Sequence, residues 1–257
     1  MHQEFTPSTA LQHTIKCFWY DRINAGGLQP TFEVVPDGYT EIIFYFGSNC
    51  SILTDGLPQP LASPFMMGLL NNPAVFQAPY PLDIIGVRCY PWTIFNLLGL
   101  QSGKAGVKAL HHPVATLQPA LNKLISAGKI PEAITLLENY FLTVQPQVAT
   151  NSQLQKAGEA ITKGKGTLPV SEVAAEAHIT VRTLERNFKQ SSGYSVKDVS
   201  GLIRFEQVRN RLLQEPNVNL AGLAHELGYA DQSHLSREFK RYSGTTPSVF
   251  AKNNKKA

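Results

Sequence analysis

Two stretches near the C-terminal end of this chain repeat one another. At an offset of 51 residues Leu184 meets Leu235, Arg186 meets Arg237, Phe188 meets Phe239 and Lys189 meets Lys240. The match runs on through Ser192 and Ser243, Gly193 and Gly244, and Ser195 and Thr246. Upstream the offset falls to 50, where Val173 and Ala174 meet Leu223 and Ala224. The second copy therefore carries one extra residue in its turn. A repeat of this kind requires one local structure to form twice, which limits the C-terminal part to a paired architecture.

Each copy reads as helix, tight turn, helix. Val170, Val173, Ala174 and Ala177 form an apolar face in the first, and Leu220, Leu223, Ala224 and Leu227 in the second. Thr180 is placed to cap the next helix of the first copy, Asn219 and Asp231 cap the helices of the second, and Gly228 makes its turn. Small residues at Ala174 and Ala224 let the two helices approach closely. The second helices are expected over 181–190 and 232–242. Leu184 and Phe188 lie four apart and face inward, which leaves Arg182, Thr183, Arg186 and Lys189 outside. Leu235 and Phe239 do the same, leaving Gln232, Ser233, His234, Ser236, Arg237, Lys240 and Arg241. Such side chains suit a major groove: arginine pairs with guanine O6 and N7, glutamine with adenine N6 and N7, and lysine or a hydroxyl with phosphate. His234 reads equally well as a helix-start residue or a base contact. Glu185 can either accept from cytosine N4 or repel phosphate.

Between the copies, 197–214 is expected to form one helix with Val199, Leu202, Ile203, Val208 and Leu212 along a face. Its length, roughly 27 Å at about 1.5 Å per residue, approaches the ~34 Å between successive major-groove faces of B-DNA. Charge agrees with this division. Residues 1–150 hold 7 Lys and Arg against 9 Asp and Glu, whereas 151–257 hold 16 against 10, so the basic excess sits with the repeat.

The two units with their joining helix, and the segments Arg182-Thr-Leu-Glu-Arg-Asn-Phe-Lys189, Gly228-Tyr-Ala-Asp-Gln-Ser-His-Leu-Ser-Arg-Glu-Phe-Lys240 and Gly244-Thr-Thr-Pro247, resemble the AraC/XylS family of bacterial transcription regulators over about 165–252. The resemblance implies double-stranded DNA as partner, with base contacts from Arg182 and Arg186 in the first unit and from Gln232, Ser233 and Arg237 in the second. It also implies RNA polymerase as a partner if the protein activates. Val196 stands where many members carry the proline that Pro247 supplies in the second unit, which predicts a less rigid exit from the first.

The remainder reads differently. Short apolar runs at 32–35, 39–46, 51–53, 65–69, 74–77 and 83–89, separated by Gly and Pro, predict a β-rich barrel or sandwich, with a helix near 92–98. Leu117, Leu121, Leu124 and Ile125, then Ile134, Leu137, Tyr140 and Phe141 after Pro131, predict two amphipathic helices. These either cover the β-rich part or pair with a second copy as a homodimer. The whole is thus of the α+β class: a β-rich domain with helices over 1–145, a linker at 146–153, and an all-α domain of two helix-turn-helix units over 154–257.

The stretches Val35-Pro-Asp-Gly38, Glu41-Ile-Ile-Phe44, Gly86-Val-Arg88 and Tyr90-Pro-Trp92 look like the sensor-type domain that precedes some AraC-like domains. In that family such a domain binds a small molecule or mediates dimerisation. Trp19, Tyr39, Glu41, Arg88 and Trp92 are the candidate effector contacts, with Tyr20 and Tyr45 on the same expected strands. No catalytic residue is assigned, since the chain holds neither a Gly-rich phosphate loop nor a nucleophile elbow. Adjacent His111 and His112 point apart, and Cys17, Cys50 and Cys89 lie far apart, so neither a metal nor another cofactor is expected. No apolar run is long enough for a membrane helix, and the first ten residues lack a signal pattern, so the expected site of action is the cytoplasm. A different reading treats the chain as a ligand-binding module whose helical part makes protein contacts; the outward Arg and Gln count against it.

Overall fold

A computed structural model describes residues 2–24, 31–103, 106–145 and 151–254. The chain divides into two compact units. One comprises Met1–Val34, Tyr39–Gly68 and Ala74–Thr150; the other Val35–Gly38, Leu69–Pro73 and Asn151–Ala257.

In the first unit ten strands form two antiparallel sheets among the described residues. The larger contains β1 (His2–Phe5), β2 (Ile15–Ile23), β4 (Thr40–Phe46), β7 (Phe65–Met67), β9 (Leu82–Cys89) and β10 (Val107–Ala109), in the order β1-β2-β9-β4-β7-β10. The smaller contains β3 (Thr31–Val34), β5 (Cys50–Thr54), β6 (Leu57–Leu61) and β8 (Ala74–Gln77), in the order β3-β8-β5-β6. Three helices follow: α1 (Ile94–Leu97), α2 (Gln118–Ser126) and α3 (Ile130–Val144).

Strand periodicity decides what each face of the larger sheet meets, because side chains alternate sides. Phe18, Tyr20, Ile42, Phe44, Phe46, Ile85, Val87 and Cys89 share one buried core with Leu121 and Ile125 of α2 and with Ala133, Ile134, Leu137 and Phe141 of α3. Phe18 and Phe141 bring their rings to 6.4 Å. The two amphipathic helices therefore cover the sheet of their own unit. The opposite face, with Trp19, Glu41, Ile43, Ile84 and Arg88, looks into a cavity. With both faces covered, β4 is apolar along nearly its whole length rather than alternating.

Strands β1, β6 and β10 are additions to the sequence reading, and β2 gives bounds to the strand on which Trp19 and Tyr20 are expected. In β6 the cause is Pro58 and Pro60, which lack the N–H that a ladder uses. They are accommodated because β6 is the edge of the smaller sheet and pairs only with β5. Helix α1 is shorter than the expected 92–98, and Trp92 lies before it.

The second unit is helical in its C-terminal part: α4 (Ser152–Lys163), α5 (Val170–Glu176), α6 (Val181–Ser192), α7 (Val196–Gln214), α8 (Leu220–Glu226), α9 (Gln232–Ser243) and α10 (Pro247–Asn254). Helix α4 begins two residues before the expected 154, because the Asn151 side chain accepts from the Leu154 N–H and supplies the cap. Residues 146–150 of the expected linker lie outside the described residues. Helix α6 packs on α4, α5 and α7, and α9 packs on α7, α8 and α10. No helix among the described residues is long and apolar enough to cross a membrane.

Gly86 supplies the space for the Trp19 indole, which crosses it from the neighbouring strand. A Cβ at Gly86 would stand 2.0 Å from Trp19 Cε2. Gly86→Ala is therefore expected to displace the indole and to cost about 1–3 kcal/mol, measured by urea unfolding with tryptophan fluorescence as the probe.

Candidate nucleic-acid interface and an apolar cavity

The repeat seen in the sequence is a repeat of hydrogen bonds. Thr180 caps α6 by accepting from the Thr183 N–H at 3.2 Å, and Asp231 caps α9 by accepting from the His234 N–H at 2.7 Å. At the other ends Ser192 Oγ donates to the Phe188 carbonyl at 2.7 Å, and Ser243 Oγ to the Phe239 carbonyl at 2.8 Å. Gly193 (φ 80°) and Gly244 (φ 73°) then turn the chain, their N–H groups donating to the Lys189 and Lys240 carbonyls. The conserved spacing of these Ser-Gly pairs within the chain thus reflects helix termination. Leu184, Phe188, Leu235 and Phe239 are buried, each at 1% exposure or less.

Fixing that face inward sets what points out. Arg182, Arg186 and Lys189 on α6 are exposed, as are Gln232, Ser233, Arg237 and Lys240 on α9. Three candidates are drawn back, Ser236 being half-buried like the two that follow. Thr183 is half-buried, and its hydroxyl accepts from Thr180 Oγ1 at 3.0 Å. His234 is half-buried with its ring edge-on to Tyr229, 5.3 Å between centroids.

The first turns of the two units differ. Tyr229 and Ile179 are equivalent, since their N–H groups donate to the Ala224 and Ala174 carbonyls. The extra residue of the second unit is Ala230, between Tyr229 and the cap Asp231. In the second unit Arg204 of α7 grips both oxygens of Glu238 on α9, at 3.1 and 3.3 Å from Nη2, and its guanidinium covers the Tyr229 ring at 4.5 Å. Asn187 occupies the place of Glu238 in the first unit.

The exit of the first unit is held by another device. Ser195 and Asp198 form a capping box at the start of α7, and the Val196 N–H approaches Glu185 Oε2 at 3.4 Å. A proline at 196 would remove that N–H. Glu185 is thereby turned to the exit of its own helix, a position that the sequence reading had weighed only against DNA.

Residues 173–253 match the family model described as "Helix-turn-helix domain". The C-terminal domain is a helix-turn-helix domain of the AraC type. Residues 3–106 match a second model, "Domain of unknown function (DUF6597)". The Msm operon regulatory protein of Streptococcus mutans is 24% identical over 137 residues, covering 52% of this chain and 49% of that protein. The HTH-type transcriptional activator RhaS of Pectobacterium carotovorum is 26% identical over 145 residues, covering 51% and 52%. The chain thus spans about half the length of these curated relatives. Among solved structures, ToxT from Vibrio cholerae O395, bound to (E)-4-(8-methylnaphthalen-1-yl)but-3-enoic acid, is similar at 10% identity over 98% of this chain and 99% of its own, with a TM-score of 0.48.

Upstream of the AraC-type domain, the first unit holds a half-open cavity of about 220 Å³ between its two sheets. Ile43, Phe65, Met67, Phe76, Ile84 and Cys50 make most of its wall apolar. Phe76 stacks between Phe32 and Phe65, at 5.5 and 5.9 Å. One end is polar. Glu41, only 3% exposed, accepts from Arg88 Nε at 2.7 Å and from Trp19 Nε1 at 3.2 Å through the same oxygen. Of the candidate effector contacts, Trp19, Glu41 and Arg88 therefore line one cavity, together with Tyr45. Tyr39 and Trp92 do not line it. They flank Tyr90 in an aromatic row, at 6.0 and 5.1 Å, and the Arg88 guanidinium covers the Tyr39 ring. Tyr20 faces the helix side and donates to Asp83 at 2.5 Å. The wall residues from the smaller sheet were missed. The alternation of Glu41, Ile43 and Tyr45 in β4 signals a second lined face, but the pairing of Phe32 with Phe76 is a long-range event.

His178 holds the left-handed position (φ 55°) that Gly228 holds in the second unit (φ 69°). His178→Gly is expected to stabilise the domain by up to about 1 kcal/mol, and Gly228→Ala to destabilise it by about 1–2 kcal/mol, in chemical denaturation. Burial pushes the Cys17 and Cys50 thiols up to about 11. At pH 8 each should therefore hold about a hundredfold less thiolate than an ordinary thiol, and iodoacetamide labelling should climb with pH through that range. Peptide mapping of native protein across pH 7–10 checks this.

Proposed function

We propose that this chain binds double-stranded DNA sequence-specifically and regulates transcription, with α6 and α9 entering two successive major grooves. The observation that carries this reading is the equivalence of the two helices: each is capped at its start, anchored by a buried Leu and Phe, and left with an arginine and a lysine outward at matching places, Arg186 with Arg237 and Lys189 with Lys240. Helix α7 has 19 residues, so it extends roughly 28 Å, a length suited to holding two reading helices on one face of a duplex. Arg182, Arg186, Gln232, Ser233 and Arg237 are the proposed base readers. Lys189, Lys197, Lys240 and Arg241 neutralise phosphates. Thr183 and His234 act at the helix starts beside them.

The cavity of the first unit is the proposed effector site. Its volume, about 220 Å³, exceeds the ~150 Å³ apolar cavity that holds benzene in an engineered protein, so it admits an effector of at least single-ring size. Trp19, Glu41 and Arg88 meet its polar group, while Tyr39 supports Arg88 from behind.

Selection from random duplex DNA by the full-length protein tests the first part. Two short half-motifs, centred about 10 bp apart, are the expected product. Raising salt from 50 to 200 mM should weaken binding by roughly two orders of magnitude, from about four neutralised phosphates. Arg237→Ala should cost about 1–3 kcal/mol on the selected site and relax one base position. Failure to enrich any sequence, with only weak salt-sensitive binding, would favour a helical domain that contacts protein instead.

A further inference from the structure

Helix α6 begins with an exposed apolar side chain. Val181, its first residue, is 43% exposed and one of four large hydrophobic side chains so exposed among the described residues. Arg182, Arg186 and Lys189 are the other exposed side chains of this part of the helix, with the half-buried Glu185 one turn on from Val181, so it is an isolated apolar group on a charged and mainly basic helix surface. Such a face does not suit an apolar protein partner, whose docking would bury those charges, but it does suit a polyanion.

The repeat gives Val181 a counterpart. At the offset of 51 it corresponds to Gln232, the first residue of α9, likewise exposed and likewise next to a capping residue. Residues at the start of the second helix of a helix-turn-helix are those that reach base edges. A valine there has no hydrogen-bonding group to offer. The feature of the major groove that an aliphatic side chain can read is the C5-methyl group of thymine. Its branching at Cβ also leaves it one strongly preferred rotamer in a helix, so little freedom is lost on contact.

We infer that Val181 is a specificity-determining residue that reads a thymine methyl in the first half-motif, where the matching position of the second half-motif is read by Gln232 through hydrogen bonds. This rests on the DNA-reading function proposed above. The two reading heads share one frame and differ in chemistry at their leading residue.

The test removes one methyl group from DNA. With the selected duplex in hand, each thymine of the first half-motif is replaced in turn by deoxyuridine, which keeps the pairing edge and deletes only the C5-methyl. One such replacement should weaken wild-type binding about fourfold, the equivalent of one buried carbon. Val181→Ala should bind the thymine and deoxyuridine duplexes equally, while Gln232→Ala should keep the wild-type sensitivity at that thymine. Val181 is exposed at the first helical position, so Val181→Ala should fold as the wild type does, verified by circular dichroism. If wild-type protein enriches no sequence, the DNA-reading function fails and the inference with it. If a site is enriched but no deoxyuridine in the first half-motif changes affinity, or Val181→Ala stays as sensitive as wild type, the inference alone is overturned.

Discussion

Two buried side chains four residues apart govern each helix-turn-helix unit of this protein. Leu184 with Phe188, and Leu235 with Phe239, tie one side of α6 and α9 to their neighbouring helices. Burying each such side chain contributes about 1.5–3 kcal/mol, more than any exposed contact on the opposite side can supply. The outward residues are therefore free to be chosen for what they bind. The hydroxyls of Ser192 and Ser243 belong to the same scheme, since they donate to the carbonyls of the anchoring phenylalanines and set where each helix stops.

Within that shared frame the two units are locked differently. Arg204 joins α7 to α9 through Glu238 and Tyr229, in a partly buried group where a bidentate guanidinium pair is stronger than at the surface. The first unit has Asn187 and Ile179 at the equivalent places, and uses Glu185 and the capping box of α7 instead. The two units are thus fastened by different contacts although Arg186 and Lys189 match Arg237 and Lys240 on their outward sides.

The β-rich unit shows the complementary case of a sheet covered on both faces. Ile42, Phe44 and Phe46 of β4 share the core with α2 and α3, and Glu41, Ile43 and Tyr45 line the cavity. A charged pair survives inside only because it is assembled: the Glu41 carboxylate receives Arg88 and Trp19 together. Gly86 is part of that assembly, since the indole that donates to Glu41 lies where its side chain would be.

The sequence by itself determined whatever depends on neighbours along the chain. Helix spacing, the caps Thr180, Asn219 and Asp231, the turn at Gly228 and the outward sets on α6 and α9 all follow from residues within about a dozen positions of one another, where side-chain direction is set by helical period. The β-rich character of the first unit was legible for the same reason, as were the ranges of β3, β4, β5, β7, β8 and β9. The tertiary structure alone decided what depends on pairing between distant segments. It made an edge strand of the proline-bearing β6, brought Trp19, Glu41 and Arg88 to one cavity while leaving Tyr39 and Trp92 outside it, and turned Glu185 toward Val196. Those outcomes rest on strand register and on contacts across tens of residues, and a period read along one segment carries no information about which segment will lie beside it.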